Sequence, residues 1–204
     1  MNRVALIDPK TATGDRKVVL DEITAAFGAT PSMFRAVANS PAALKMMWAG
    51  FGALSAGRLG PRLGEQVAVL VADLNQCEYC LAAHTMLGKK AGATAAEMSE
   101  AQAGRSQDPR TAAALVFAAR LVEQRAQIDE ADVEALRAAG FDDEEVTELV
   151  AHVALNLFTN YVNVALAVPL ASRRRAMAAM GRRVTEHDVH QWVDVQLAEV
   201  GGTG

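Results

Sequence analysis

Residues 63–90 read LGEQVAVLVADLNQCEYCLAAHTMLGKK. Val67, Leu70, Val71 and Leu74 recur three and four apart, the spacing that lays apolar side chains along one face of a helix. A polar break at Asn75-Gln76 follows, and helical spacing resumes through Lys90 to a stop signal at Gly92. The stretch therefore predicts two helices joined by a short break. The chain's two cysteines, Cys77 and Cys80, stand at the start of the second.

The same periodicity extends in both directions. Upstream, residues 16–27 read as a helix ended by Gly28, Ala29-Thr30-Pro31 as a connector, and Pro41 as the opening of a helix that carries Leu44, Met47 and Trp48. Gly57 to Gly64, with Gly60-Pro61 inside it, reads as a loop before a helix from about Leu63. Downstream, Thr94 with Glu97 forms a capping-box pattern, Pro109 opens a helix through Gln124, and Asp129 caps one that ends at Gly140. The apolar region from Val146 to Leu170 is interrupted by Glu148, His152, Asn156, Asn160 and Asn163, each costly in lipid, so it reads as a buried core helix rather than a membrane span. Beyond Pro169 come a basic patch, Arg173 to Arg175, and a final helix from Thr185 to Val200. No strand pattern competes, and the fold class is all-α, a helical bundle.

Half of the 204 residues are apolar, aromatics are scarce, and the formal charge is -4. This is the composition of tightly approaching helices, without the basic excess of a nucleic-acid binder. The N-terminus runs from Met1-Asn2-Arg3-Val4 into Asp8, Pro9, Lys10 and Asp15 with no apolar signal core, so a cytoplasmic protein is expected. The expected organisation is an extension over 1–15, one helical domain over 16–170, and a helical extension over 171–204. An internal echo crosses that domain. A shift of 79 positions (Glu65 to Glu144) also lays Val67, Leu70, Val71, Ala72 and Leu87 on Val146, Leu149, Val150, Ala151 and Leu166. Duplication of a helical unit and chance matching of two Ala/Leu-rich helices both account for it. Under this shift Cys77, Cys80 and His84 fall against Asn156, Thr159 and Asn163.

The chemistry-bearing segment is Asn75-Gln76-Cys77-Glu78-Tyr79-Cys80-Leu81-Ala82-Ala83-His84. Asn75 followed three residues later by Glu78 has the pattern of a capping box, which places Cys77 in the first turn. Free backbone N–H groups and the helix dipole favour an anion there, and the thiolate is the reactive form of cysteine. At about 100° per residue, Cys77, Cys80 and His84 fall within roughly a 60° sector. His84 lies about 6 Å along the axis beyond Cys80 and about 10 Å beyond Cys77, so the spacing favours a direct hydrogen bond to Cys80. One turn also brings the two cysteine α-carbons to about 5–6 Å, which permits a disulfide. Glu65, on the preceding helix, is the carboxylate that would fix the His84 tautomer if the break folds the two helices together.

The pattern Glu65, eleven residues, Cys77-x-x-Cys80, three residues, His84 resembles the motif of the alkylhydroperoxidase D-like branch of the carboxymuconolactone decarboxylase superfamily. The likeness includes Glu78-Tyr79 within the CxxC and the helix end Leu87-Gly88-Lys89-Lys90-Ala91-Gly92. Pro31-Ser32-Met33-Phe34 with Ser40-Pro41 resembles the peroxidase-related members of that branch. The resemblance covers roughly residues 20–170. It implies an all-helical fold assembling as homo-oligomers, often trimers or hexamers. It also implies a peroxide-reducing dithiol with a glutamate–histidine proton relay, and its functional residues carry over to Glu65, Cys77, Cys80 and His84. The implied partners are a small hydroperoxide and an external thiol or dithiol reductant, either small or a protein. No cofactor or metal is implied. The decarboxylase relatives lack the cysteine pair, which argues against lactone decarboxylation. The resemblance and the nearness of His84 favour Cys80 as the attacking residue and Cys77 as the resolving one, whereas the helix N-terminus favours Cys77.

Other readings of the same residues stay open at this point. They are a dithiol–disulfide oxidoreductase with little peroxidase activity, a zinc site made by Cys77, Cys80, His84 and Glu65, and an inert buried CxxC. Zinc is disfavoured because three ligands within two turns of one helix fit tetrahedral geometry poorly. His152 reads as a hydrogen-bonded core histidine. Asn156, Asn160 and Asn163 read as a structural polar seam, either near the site or at a subunit contact. His187, His190 and Arg173 to Arg175 read as solvated, Met46, Met47 and Trp48 as core, and Met33 and Phe34 as candidates to line a pocket for an organic hydroperoxide.

Overall fold

The computed structural model describes residues 2–169. The expected final helix, Arg173 to Arg175, His187 and His190 lie outside the described residues. Those described form nine α-helices and no strand, as the periodicity predicts. They are α1 (Asp15–Phe27), α2 (Ser32–Val37), α3 (Pro41–Ser55), α4 (Gly60–Leu74), α5 (Glu78–Lys90), α6 (Ala95–Gln102), α7 (Pro109–Glu123), α8 (Glu130–Ala138) and α9 (Asp143–Ala165). None of them is long and apolar enough to cross a membrane. The described residues divide into two compact units, one of residues 2–48 with 165–169, the other of residues 49–164.

In the first unit, α1 ends where Gly28 adopts φ 67°, a left-handed C-cap that a residue with a Cβ would resist. The six-residue α2 is too short for a periodic pattern to reveal, and it buries Met33, Phe34, Ala36 and Val37. Phe27, Phe34 and Trp48 stack with centroids 5.6 to 6.0 Å apart, and the Trp48 indole donates to Glu22 at 2.9 Å. Met33 and Phe34 thus serve this unit's own core. Met47 is fully buried, but Met46, about 100° around α3 from it, is 51 % exposed.

The second unit is built around α4, which packs against α5, α6 and α7. Val67, Leu70 and Val71 are buried as expected, but so are Gln66, Ala68, Val69 and Ala72, so α4 is covered nearly all round. It begins at Gly60, about three residues before the expected start. Pro61 sits in the first turn, where its missing N–H leaves no helical bond unmade. The anticipated caps at Thr94, with Glu97, and at Asp129, with Asp132, both form capping boxes.

The long helix α9 departs from a uniformly buried core helix. Its inward residues run Leu149, Val153, Asn156, Asn160 and Asn163, apolar and then polar, while Val150, Tyr161 and Val164 face outward and are exposed. Its start is pinned at several points. Arg110 joins Glu145 at 2.7 Å and the Gly140 carbonyl at 2.6 Å, and its guanidinium lies 3.8 Å over the Phe141 ring. Glu148 accepts the backbone N–H groups of Arg58 and Leu59, at 2.8 and 3.2 Å, just ahead of α4.

Candidate active site

The break between α4 and α5 is a tight helix-ending motif. Gln76 N–H donates to the Asp73 carbonyl and Cys77 N–H to the Ala72 carbonyl, each at 2.9 Å. This is a Schellman ending, whose turning position is usually glycine. Here Gln76 fills it at φ 53°. The turn moves the expected cap. Asn75 is the C-cap of α4, its amide donating to the Val71 carbonyl at 2.7 Å, and the N-cap of α5 is Cys77. Cys77 Sγ accepts the Cys80 N–H at 3.3 Å, the role a serine hydroxyl commonly plays at a helix start. The expected placement of Cys77 at a helix N-terminus is kept, shifted from the second helical position to the cap itself.

Cys77 and Cys80 are joined as a disulfide with α-carbons 5.3 Å apart, within the spacing their separation predicts. Both are buried, at 2 % and 3 % exposure, with Tyr79, Leu81 and Ala72 packed around them. The turn at Gln76 brings α5 back along α4. As a result His84 Nδ1 meets Glu65 Oε2 at 2.7 Å, with both side chains largely buried. The sequence spacing anticipated this pair, and the structure makes it. Gly88, one turn beyond His84, allows the approach: a Cβ there would clash with Met98 and stand 3.3 Å from the Glu65 Cβ.

In the disulfide form His84 hydrogen-bonds Glu65 and neither sulfur. The carboxylate is the stronger partner for a ring nitrogen, and a disulfide sulfur has no proton to give. Among the described residues, no group of three or more His, Cys, Asp or Glu converges to hold a metal ion. His152 packs over Gly64 of α4, its Cε1 3.2 Å from where a Cβ would be. Burial pushes its pKa below the usual histidine value, with Glu148 and Glu65 opposing that shift.

The residue that sequence reasoning did not assign is Asn163. Its amide Nδ2 donates to Cys80 Sγ at 3.2 Å from α9, and both groups are buried. One turn earlier, Asn160 Oδ1 accepts from Asn75 Nδ2 at 3.2 Å, so the asparagine seam contacts the α4–α5 turn directly. The four-and-three spacing of Asn156, Asn160 and Asn163 was the available signal. It marks a common face without saying what that face touches.

Residues 41–124 match the carboxymuconolactone decarboxylase family, a stretch that holds Glu65, Cys77, Cys80 and His84 but not Asn163. Two solved structures are each 25 % identical and superpose over 82 % of this chain and 91 % of theirs. One is a peroxidase-related protein from Silicibacter sp. TM1040 (TM-score 0.72), the other an alkylhydroperoxidase AhpD core, peroxidase-related protein from Ralstonia eutropha JMP134 (TM-score 0.73). The family match over residues 41–124 and these two structures support the alkylhydroperoxidase D-like branch of the carboxymuconolactone decarboxylase superfamily. The debrominase Bmp8, as a cysteine-to-alanine variant with a tribromopyrrole, shares the fold at 17 % identity and TM-score 0.70, over 88 % of this chain and 99 % of its own. No curated protein matches the sequence significantly.

Proposed function

We propose that the protein is a thiol-dependent peroxidase that reduces alkyl hydroperoxides through a dithiol–disulfide cycle at Cys77 and Cys80. The observation that carries this reading is the Glu65–His84 hydrogen bond one turn beyond a cysteine pair already joined as a disulfide. In the reduced protein His84, oriented by Glu65, takes the Cys80 proton. The thiolate attacks the terminal oxygen of the hydroperoxide, an S–O bond forms and the O–O bond breaks. The alkoxide leaves with the proton returned by His84. Cys77 then attacks the sulfenic sulfur, forming the disulfide and expelling water, and an external dithiol supplies two electrons to restore the pair.

The burial of both sulfurs favours a small oxidant over exchange with a protein disulfide, which must bring a second sulfur into line with the first. A cytoplasmic setting suits the cycle, since thiol reductants there regenerate the dithiol. Assembly as a homo-oligomer, a trimer or hexamer, also belongs to the proposal. Val150, Tyr161 and Val164 on one side of α9 give such an assembly an apolar face to cover, and light scattering measures it.

The test is a thiol count before and after one equivalent of alkyl hydroperoxide. Wild type should lose both thiols, and Cys80→Ser should lose none. Loss of both thiols with a protein disulfide or oxidised lipoamide, but not with peroxide, would replace this reading by a dithiol–disulfide oxidoreductase.

A further inference from the structure

Cys80 has a solvation problem that Cys77 does not. Cys77 caps α5, so its sulfur lies at a helix N-terminus and accepts a backbone N–H. Cys80 lies a turn inside the helix, where its own N–H is already engaged by Cys77 Sγ. At 3 % exposure its sulfur has little access to water, and burial without a donor raises a thiol's pKa and empties the thiolate state. Among the described residues, the one hydrogen bond to Cys80 Sγ comes from Asn163 Nδ2 at 3.2 Å. Because a disulfide sulfur carries no hydrogen, only the N–H side of the Asn163 amide makes a favourable contact there.

Asn163 belongs to a row of amides on one face of α9. Asn160 holds Asn75 at the α4–α5 turn, Asn75 holds the Val71 carbonyl, and Asn156 Nδ2 donates to the His152 carbonyl at 2.9 Å. These amides occupy the inward face that Leu149 and Val153 fill with apolar side chains nearer the start of α9. Buried amides cost free energy relative to such residues unless their hydrogen bonds are used.

We propose that Asn163 is a catalytic residue of the dithiol site: in the reduced protein its Nδ2–H donates to the Cys80 sulfur, holds it as the thiolate and makes Cys80 the readily ionised member of the pair. The assignment deepens the peroxidase reading and rests on it for the use to which the thiolate is put. The other ionisable groups on the three helices around the pair are Arg62, Glu65 and Asp73 on α4, Glu78, Tyr79, His84, Lys89 and Lys90 on α5, and Asp143, Glu144, Glu145, Glu148, His152 and Tyr161 on α9. The measurement therefore changes Asn163 alone and reads the sulfur itself.

The experiment follows alkylation of the reduced single-cysteine proteins by iodoacetamide as a function of pH. In a Cys77→Ser background, Asn163→Leu should raise the Cys80 pKa by about one to two units, the scale of one hydrogen bond to a charged group, and lower the thiolate fraction at neutral pH about 10- to 100-fold. In a Cys80→Ser background the same change should leave the Cys77 profile in place. Asn160→Leu, which removes the Asn75 contact and no sulfur contact, should leave the Cys80 profile in place even as it lowers the melting temperature. Asn163→Ala serves if the leucine variant does not fold. An unchanged Cys80 profile, or equal shifts for both cysteines, would overturn the assignment. Wild-type protein that ignores hydroperoxide while its Cys80 profile still depends on Asn163 would end the peroxidase reading and leave this assignment standing.

Discussion

Residues 65–87 and 144–166 carry matching apolar positions but take different courses. The first stretch breaks after Leu74, turns at Gln76 with φ 53°, and restarts as α5. In the second, Leu155 stands where Gln76 would fall, and α9 runs through it unbroken to Ala165. Leu70 and Leu149 are both buried, yet Val71 is buried and its counterpart Val150 is 42 % exposed. The break lets the first stretch fold on itself, so that Glu65 meets His84 across two helices and a cysteine gains a helix N-terminus. The unbroken helix offers only a side, and along that side it aligns Asn160 with the turn and Asn163 with Cys80. Asn163, the counterpart of His84 under the shift, reaches Cys80 from the opposite stretch, whereas His84 is held by Glu65. The site is a helix end placed beside a helix flank.

The comparison can be broken most severely in α9. Leu155→Pro would put a break where the first stretch has one, removing a helical hydrogen bond and displacing the asparagine row. A loss of about 3 kcal/mol or more is expected in denaturant unfolding. Glu65→Gln tests the folded-back pair. It keeps the shape of the side chain and removes the charge opposite His84, and single-turnover oxidation by hydroperoxide should slow by about 100-fold with little change in melting temperature. Gln76→Gly sharpens the contrast in the other direction. A left-handed residue with a side chain costs about 1–2 kcal/mol relative to glycine, so this variant should unfold at higher denaturant, by about 1 kcal/mol after the added freedom of the unfolded chain is subtracted.

The smallest effect concerns His152, where α9 packs on Gly64. Burial holds its folded-state pKa below the ordinary value of 6.5, so the unfolded chain binds the proton more readily. The stability this contributes is fully present above pH 6.5 and is lost as the pH falls through the folded-state pKa. Melting temperature should therefore decline over that interval in wild type, and the decline should be shallower in His152→Gln.

Much of the fold was legible because helix ends are local. Gly28, Gly92, Thr94 with Glu97, Pro109, Asp129 and Gly140 stop or start helices through atoms within a few residues of themselves. The Glu65–His84 pair was legible because two helical periods and one short break bring those positions together. The true cap of α5 was not, since the turn relies on a glutamine at a left-handed position that sequence rules reserve for glycine. Neither was the early start of α4, because Gly60-Pro61 reads equally as a loop and as a first turn. Asn163 was visible as a polar residue in an apolar helix, but its partner stands 83 residues away. No periodic pattern specifies which amide of a seam meets which sulfur.

The chemistry is tested most directly by trapping the first intermediate. Reduced Cys77→Ser protein, given one equivalent of alkyl hydroperoxide in the presence of dimedone, should yield an adduct on Cys80 that peptide mass spectrometry locates. The matching Cys80→Ser protein should yield none on Cys77. An adduct formed only on Cys77, or on neither cysteine while the protein is fully reduced, would contradict the account.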